Sequence, residues 1–323
     1  MKRNNSLDFL KGVACIGVVL IHVTFPGIFG AVLSKLSTFA VPLFFMISGY
    51  YAYDEKGRTQ TKIKRRAIKV LKIFCMALIL YVPYRIFRMY ELGQLKSWTE
   101  SAIRIETFFN AIFFHSFDFI GAEHLWFLTA LFYTYLLMLG VDKYALYDQL
   151  YKVLPIFFVL NVLSGMGIIG VLGKTFLIRA VPFFALGNYM ASHRQSVEKY
   201  SNNVLKILIA ASAIFICICF AMDWKYNPYQ FAVIVYSFAV FVYAIKNPNN
   251  SISEKIELLG RKYSLYVYII HIYINSRLNV WINCLGISEV ALVKWMLPII
   301  VIACSVGISV LLDFLINRWI VRK

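Results

Sequence analysis

The chain has 323 residues, 60% of them hydrophobic and 15% charged, with a mean hydropathy of +0.70. Soluble domains are close to half apolar and a quarter charged, so this composition excludes an ordinary soluble enzyme and points to a polytopic membrane protein. The net charge of +17 sits in loops beside apolar runs, where contact with an anionic lipid leaflet explains it, so no nucleic-acid partner is expected.

A helix needs about 20 mostly apolar residues to cross the hydrocarbon. The basic start MKRNN leads into an apolar run with no A-x-A-like cleavage site after it, which predicts a retained first helix at 9–29. Further spans are expected at 35–53, 68–89, 124–140, 152–172, 175–192, 204–222, 229–245, 263–283 and 292–316, giving an all-α bundle of ten transmembrane helices. The apolar segment 105–118 is too short to span and reads as interfacial or re-entrant. No stretch reads as a soluble domain, so residues 1–323 are expected to form one transmembrane domain. With ten spans, one set of loops and termini holds 18 Lys and Arg and the other holds 4. That asymmetry places both termini in the cytoplasm. The six cysteines lie in or beside apolar runs without metal-type spacing, and read as small hydrophobes; no metal site is expected.

The first predicted helix carries Lys11 and His22. Eleven residues turn through about 1100°, close to three full turns, so both lie on one face about 16 Å apart. Asp8, three residues before Lys11, can pair with it. Taken singly, Lys11 is a snorkelling cation and His22 a hydrogen-bonded core histidine. Ionisable groups at membrane depth usually face a cavity, however, and histidine can take a proton from a hydroxyl near neutral pH.

Farther along, Ser48 precedes Gly49 and reads as close helix packing, and Lys64, Arg65, Arg66 and Lys69 form a basic cluster. Arg85 and Arg88 read as snorkelling, and His124 opens the fourth span after Glu123. Arg179 stands near Pro182, where a loosened helix can face a cavity, and His271 follows Tyr268 by three. His115 and His193 fall in loops and receive no role. Walker A, G-x-G-x-x-G, H-E-x-x-H and G-x-S-x-G patterns are missing, so nucleotide, metal or soluble ester hydrolysis has no support.

Six stretches occur in an order that resembles the acyltransferase-3 family. They are LDFLKGVACIGVVLIH, VPLFFMISGYY, KIKRRAIKVLK, HLWFLTALF, RAVPFFALGNYM and GRKYSLYVYIIH. The resemblance implies an integral membrane O-acyltransferase of a bacterial cytoplasmic membrane. It would move an acyl group, usually acetyl, from cytosolic acyl-CoA to a hydroxyl of a cell-surface glycan or its lipid-linked precursor. It further implies His22 as catalytic base, with Lys11, Arg65, Arg66 and Lys69 toward the CoA phosphates. Asp8, His124, Arg179 and His271 are secondary, acceptor-side candidates. The family more often has arginine at the Lys11 position, and lysine lacks the guanidinium fork. Some members carry a fused soluble domain, and none is expected here. Membrane domains of vancomycin-resistance serine racemases resemble the same family, so a serine carrier is the alternative, with His22 and Lys11 binding a zwitterion. A scaffold that recruits glycan enzymes is a third reading, and it gives His22 no task.

Overall fold

The computed structural model of the chain describes residues 4–55, 57–222, 224 and 226–321, with side chains through Leu315. Lys2, Arg3, Lys56, Lys225, Arg322 and Lys323, which enter the charge asymmetry, lie outside the described residues. The described residues form helices and no strand. In chain order the helices are α1 (Asn5–His22), α2 (Gly27–Ser37), α3 (Ala40–Ala52), α4 (Thr59–Glu91), α5 (Leu95–Ala102), α6 (Ile105–Phe113), α7 (Trp126–Lys143) and α8 (Tyr147–Gly165). They continue with α9 (Phe176–Arg179), α10 (Val181–Ser192), α11 (Arg194–Glu198), α12 (Asn202–Ala221), α13 (Tyr229–Lys246), α14 (Glu254–Leu258), α15 (Ser264–Cys284) and α16 (Ala291–Val321). A π-helical turn, Leu259–Tyr263, joins α14 to α15.

By length and composition, 7 stretches among the described residues can cross a membrane: Asn5–His22, Gly27–Ala52, Thr59–Glu91, Glu123–Lys143, Asn202–Ala221, Tyr229–Lys246 and Ala291–Leu315. The protein is therefore an all-helical, multi-pass membrane protein. The other three expected spans are less apolar or interrupted. Asp148 and Lys152 stand in the first turns of α8, and the 175–192 stretch breaks at Ala180 into α9 and α10. His271, Asn275, Arg277 and Asn279 interrupt the apolar run of α15. Exposed isoleucines and leucines such as Ile207 and Ile214 on α12 and Leu311 on α16 suit contact with lipid.

The first helix is shorter than the hydropathy pattern predicts: α1 stops at His22, not near 29. Pro26 removes a backbone donor and bars Phe25 from the helical region. Gly27 then takes φ of 70°, a left-handed conformation cheap only for glycine. At its other end α1 is well capped. The Asn4 side chain accepts from the Leu7 N–H at 2.8 Å, and Asp8 lies in the positive first turn. The short 105–118 segment becomes the nine-residue α6, too short to span, as its length predicts.

The chain divides into two compact units. The first comprises residues 1–44, 195–224 and 231–323, and the second residues 45–194 and 225–230. In the first unit, the Asn4 amide donates to the Ala244 carbonyl at 3.1 Å and the Ser6 N–H to the Pro248 carbonyl at 3.1 Å. Farther up α1, backbone meets backbone. A Cβ added at Gly12 would run into the Ile256 carbonyl, and one at Gly260 into the Asp8 carbonyl and the Gly12 nitrogen. Only glycine permits this approach between α1 and the π turn.

In the second unit the long α4 packs along α7, and α3 meets α10 through another glycine pair. A Cβ at Gly49 would strike the Phe184 carbonyl, and one at Gly187 the Met46 carbonyl. Asn188 spans the crossing, donating to the Gly49 carbonyl at 3.3 Å and accepting from the Tyr151 hydroxyl at 2.8 Å. The close approach here is made by Gly49, the neighbour of Ser48. Gly49→Leu is expected to cost about 3 kcal/mol, because a rigid carbonyl must move. Among the described residues a Cβ at Gly140 meets nothing within 4 Å, so Gly140→Ala is expected to be neutral or to add up to about 1 kcal/mol of helix propensity. Thermal unfolding of the two variants in detergent, followed by tryptophan fluorescence, checks both.

Candidate active site

In the first unit, α1 presents Asp8, Lys11 and His22. The Lys11 ammonium lies 3.8 Å from the Asp8 carboxylate, the pairing expected from their spacing, and both side chains are largely shielded. His22, the last residue of α1, is exposed, and its ring centroid stands 5.3 Å from that of His271 on α15. An accessible imidazole is thus held against one that is fully buried.

His271 has a defined tautomer. Its Nδ1 lies 3.1 Å from the Val267 carbonyl and 2.8 Å from the Tyr268 carbonyl. Carbonyls only accept, so Nδ1 carries the proton and Nε2 of the neutral ring keeps the lone pair. Ser264 secures the start of the same helix by donating to the Gly260 carbonyl at 2.8 Å, and its own carbonyl lies 3.6 Å from the Cys15 sulfur on α1. The α1–α15 contact that carries the histidine pair is therefore fastened from below by a serine, a glycine and a cysteine.

In the second unit the basic cluster divides by face. Lys64, Arg65 and Lys69 are exposed on α4, whereas Arg66 is half-buried, with its guanidinium carbon 6.0 Å from the centre of the Tyr51 ring. Arg66 and Ser48 both reach the buried Tyr135 hydroxyl. Asp54, which the sequence reading passed over, is buried and takes two of the loop's cations, Arg58 at 3.4 Å and Lys62 at 3.1 Å. Its signal was the i, i+4 spacing to Arg58.

The remaining sequence candidates are placed as follows. His124 is buried, edge-on to Tyr81 at 5.3 Å, while Glu123 beside it is exposed. Arg179 ends α9. Its guanidinium lies 5.3 Å from the Trp126 ring centre, and its Nε donates to the Gly173 carbonyl at 3.2 Å. Arg88 is ion-paired with Glu91 at 3.1 Å. Of the six cysteines, read as small hydrophobes, Cys15 and Cys219 are buried, Cys217 is half-buried, and Cys75, Cys284 and Cys304 are exposed.

His115 lies in a loop, as expected, but not at the surface. Read as a loop residue without a role, it is 1% exposed and wedged between the rings of Tyr133 at 5.2 Å and Phe176 at 6.0 Å. Among the described residues neither ring nitrogen has a hydrogen-bond partner, and its φ is 56°. Each buried polar atom without a partner costs roughly 1–3 kcal/mol, and a non-glycine residue at positive φ adds strain. Burial, and next the charge of Arg179, hold this imidazole neutral down to about 4. An unfolded histidine takes up its proton near pH 6.5. The unfolded chain therefore binds more protons between about pH 6.5 and 4, and stability falls as the pH drops through that window. Each pH unit is about 1.4 kcal/mol, so acidification from about pH 6.5 to 5 is expected to cost about 2 kcal/mol. His115→Asn abolishes that contribution, read as a smaller downward shift of the unfolding midpoint on acidification.

The acyltransferase-3 family model, an acyltransferase domain, matches residues 4–314. The chain belongs to the acyltransferase-3 family. No match to the chain was found among curated proteins, and none among solved structures. The match runs through both compact units and makes this chain a membrane acyltransferase. Within the fold, the family-like segments divide into two kinds. Gly49 in VPLFFMISGYY, Gly187 in RAVPFFALGNYM and Gly260 in GRKYSLYVYIIH lie where backbones touch. His22, His124 and His271 bring imidazoles to fixed neighbours.

Proposed function

We propose that this acyltransferase-3 protein moves an acyl group, acetyl in the first instance, from cytosolic acyl-CoA to a hydroxyl of a cell-surface glycan or its lipid-linked precursor. The observation that carries the chemistry is the histidine pair. An accessible His22 stands against a buried His271 whose Nδ1 is committed to backbone carbonyls. Nε2 of His271 is then an acceptor that can fix the His22 tautomer, leaving the other His22 nitrogen as base. In the reaction, His22 takes the acceptor hydroxyl's proton as that oxygen attacks the thioester carbonyl carbon. The new C–O bond forms, the C–S bond breaks, and the CoA sulfur leaves and takes a proton.

Donor-side cations are assigned in each unit by itself, Lys11 in the first and Arg65, Arg66 and Lys69 in the second. Arg66 ranks first among those on α4, because Tyr51 and Tyr135 hold it while its neighbours are exposed. Asp8, the partner of Lys11, is a positioning residue, and His124 and Arg179 remain acceptor-side assignments. Both termini belong in the cytoplasm, and the whole chain acts as one catalytic domain.

Calorimetry with acetyl-CoA and L-serine on protein in nanodiscs separates this reading from the carrier. Acetyl-CoA is expected to bind, Arg65→Ala/Arg66→Ala to weaken it at least about tenfold through lost charge-assisted phosphate contacts, and Lys11→Ala to weaken it as well. Binding of L-serine without acetyl-CoA would overturn the acyltransfer reading for this chain.

A further inference from the structure

Four residues in the second unit face one another in two rows. Trp126 and Tyr133 are seven apart on α7, two turns along one face, and Phe176 and Arg179 are three apart on α9. The rows match end to end, with Arg179 against Trp126 at 5.3 Å and Phe176 against Tyr133 at 5.6 Å. His115 closes the Tyr133–Phe176 end, contacting both rings. On α9, three residues, about 5 Å of rise, separate Arg179 from Phe176, one of the two rings that His115 packs on.

Two polar groups in this cluster lack the partners such groups normally have. Among the described residues, both nitrogens of His115 are buried without a hydrogen bond. Among the described residues, no carboxylate lies within ion-pairing distance of Arg179, whose only hydrogen bond to protein is from Nε to a carbonyl. Its outer nitrogens are left as a planar fork, the geometry that takes a carboxylate or phosphate. Buried polar groups are nearly always satisfied, and the exceptions collect at functional sites. One anion would satisfy both residues, accepting from the guanidinium and from the N–H of a neutral imidazole.

We infer that His115 and Arg179 form a subsite for an anionic group, a carboxylate or phosphate, on the acyl acceptor. This rests on the acyl-transfer reading for what the ligand is for, and it narrows the acceptor from glycans in general to acidic or phosphorylated ones. Anion recognition is separate from donor binding, so the two can be tested apart.

The test is calorimetry on the full chain in nanodiscs with glucuronate, glucose 1-phosphate and glucose, and with acetyl-CoA in parallel. At least one of the two anionic sugars is expected to bind and glucose not to. The preferred one tells carboxylate from phosphate. Arg179→Gln and His115→Leu are expected to weaken that binding at least tenfold and to leave acetyl-CoA binding unchanged. If Arg179→Gln does not fold, Arg179→Lys, which keeps the charge and loses the fork, carries the comparison and is expected to bind several-fold more weakly. Anionic sugars that bind no better than glucose, or as well to the variants as to the wild type, would overturn the subsite while acetyl-CoA binding stands. Loss of acetyl-CoA binding from the wild type, with anion binding intact, would overturn the donor and leave the subsite.

Discussion

His22→Gln is expected to slow acyl transfer by about 10²–10⁴-fold, the usual contribution of a positioned general base. Glutamine preserves a polar, hydrogen-bonding side chain of similar reach but cannot take a proton. His22 is exposed at the end of α1, so the substitution removes little packing and the unfolding midpoint is expected to stay within a degree or two of wild type. Donor affinity is also expected to hold, because no donor-side cation is touched. The signature is a fall in turnover at saturating acyl-CoA with unchanged binding. Adding His271→Phe to His22→Gln is expected to cost little more, since His271 acts through His22 and residues acting as a unit are not additive. Single-turnover release of CoA, measured for the three proteins, checks both statements.

Gly260→Val is expected to have the largest effect on stability. The added Cβ meets the Asp8 carbonyl and the Gly12 nitrogen, and neither can turn aside as a side-chain end would. Overpacking against fixed atoms costs about 3 kcal/mol, or more where backbone must separate. The consequence is not confined to stability. Gly260 stands four residues before Ser264, at the head of the helix that carries His271, and it abuts the helix that carries Lys11 and His22. Separating these backbones by about an ångström pulls the histidine pair apart, a displacement that costs catalysis on the order of 10²-fold. The molecules that remain folded at low temperature are therefore expected to be nearly inactive. Thermal unfolding together with activity per folded molecule separates the two effects, and ordinary activity in the folded fraction would show that this contact does not set the pair.

The class and the order of the motifs were legible because they depend on local composition and spacing. The Lys11–His22 spacing placed both residues on one face, and Asp8 pairs with Lys11 as its spacing required. The extent of α1 was misread because a hydropathy window runs through Pro26–Gly27, although that dipeptide marks a turn. Which cation of α4 turns inward was not readable. Arg65 and Arg66 differ by 100° of rotation, and only the packing partners Tyr51 and Tyr135 decide between them. His115 was least legible of all. It lies among phenylalanines in FFNAIFFHSF, and its burial depends on Tyr133 and Phe176, 18 and 61 residues away. The glycine crossings fall between: a packing expectation fell on Ser48, one residue from Gly49, whereas the partner carbonyls of Phe184 and Met46 come only from the tertiary structure.

The fate of a labelled acetyl group tests acyl transfer by this protein most directly. Membranes containing the protein would be supplied with acetyl-CoA labelled in the acetyl carbon, and label in the glycan and glycolipid fractions followed with time. Time-dependent, alkali-labile label, the mark of an ester, is expected in the wild type, and label reduced by about 10²-fold or more with His22→Gln. Label that never leaves acetyl-CoA, or that transfers equally well without His22, would contradict acyl transfer through His22.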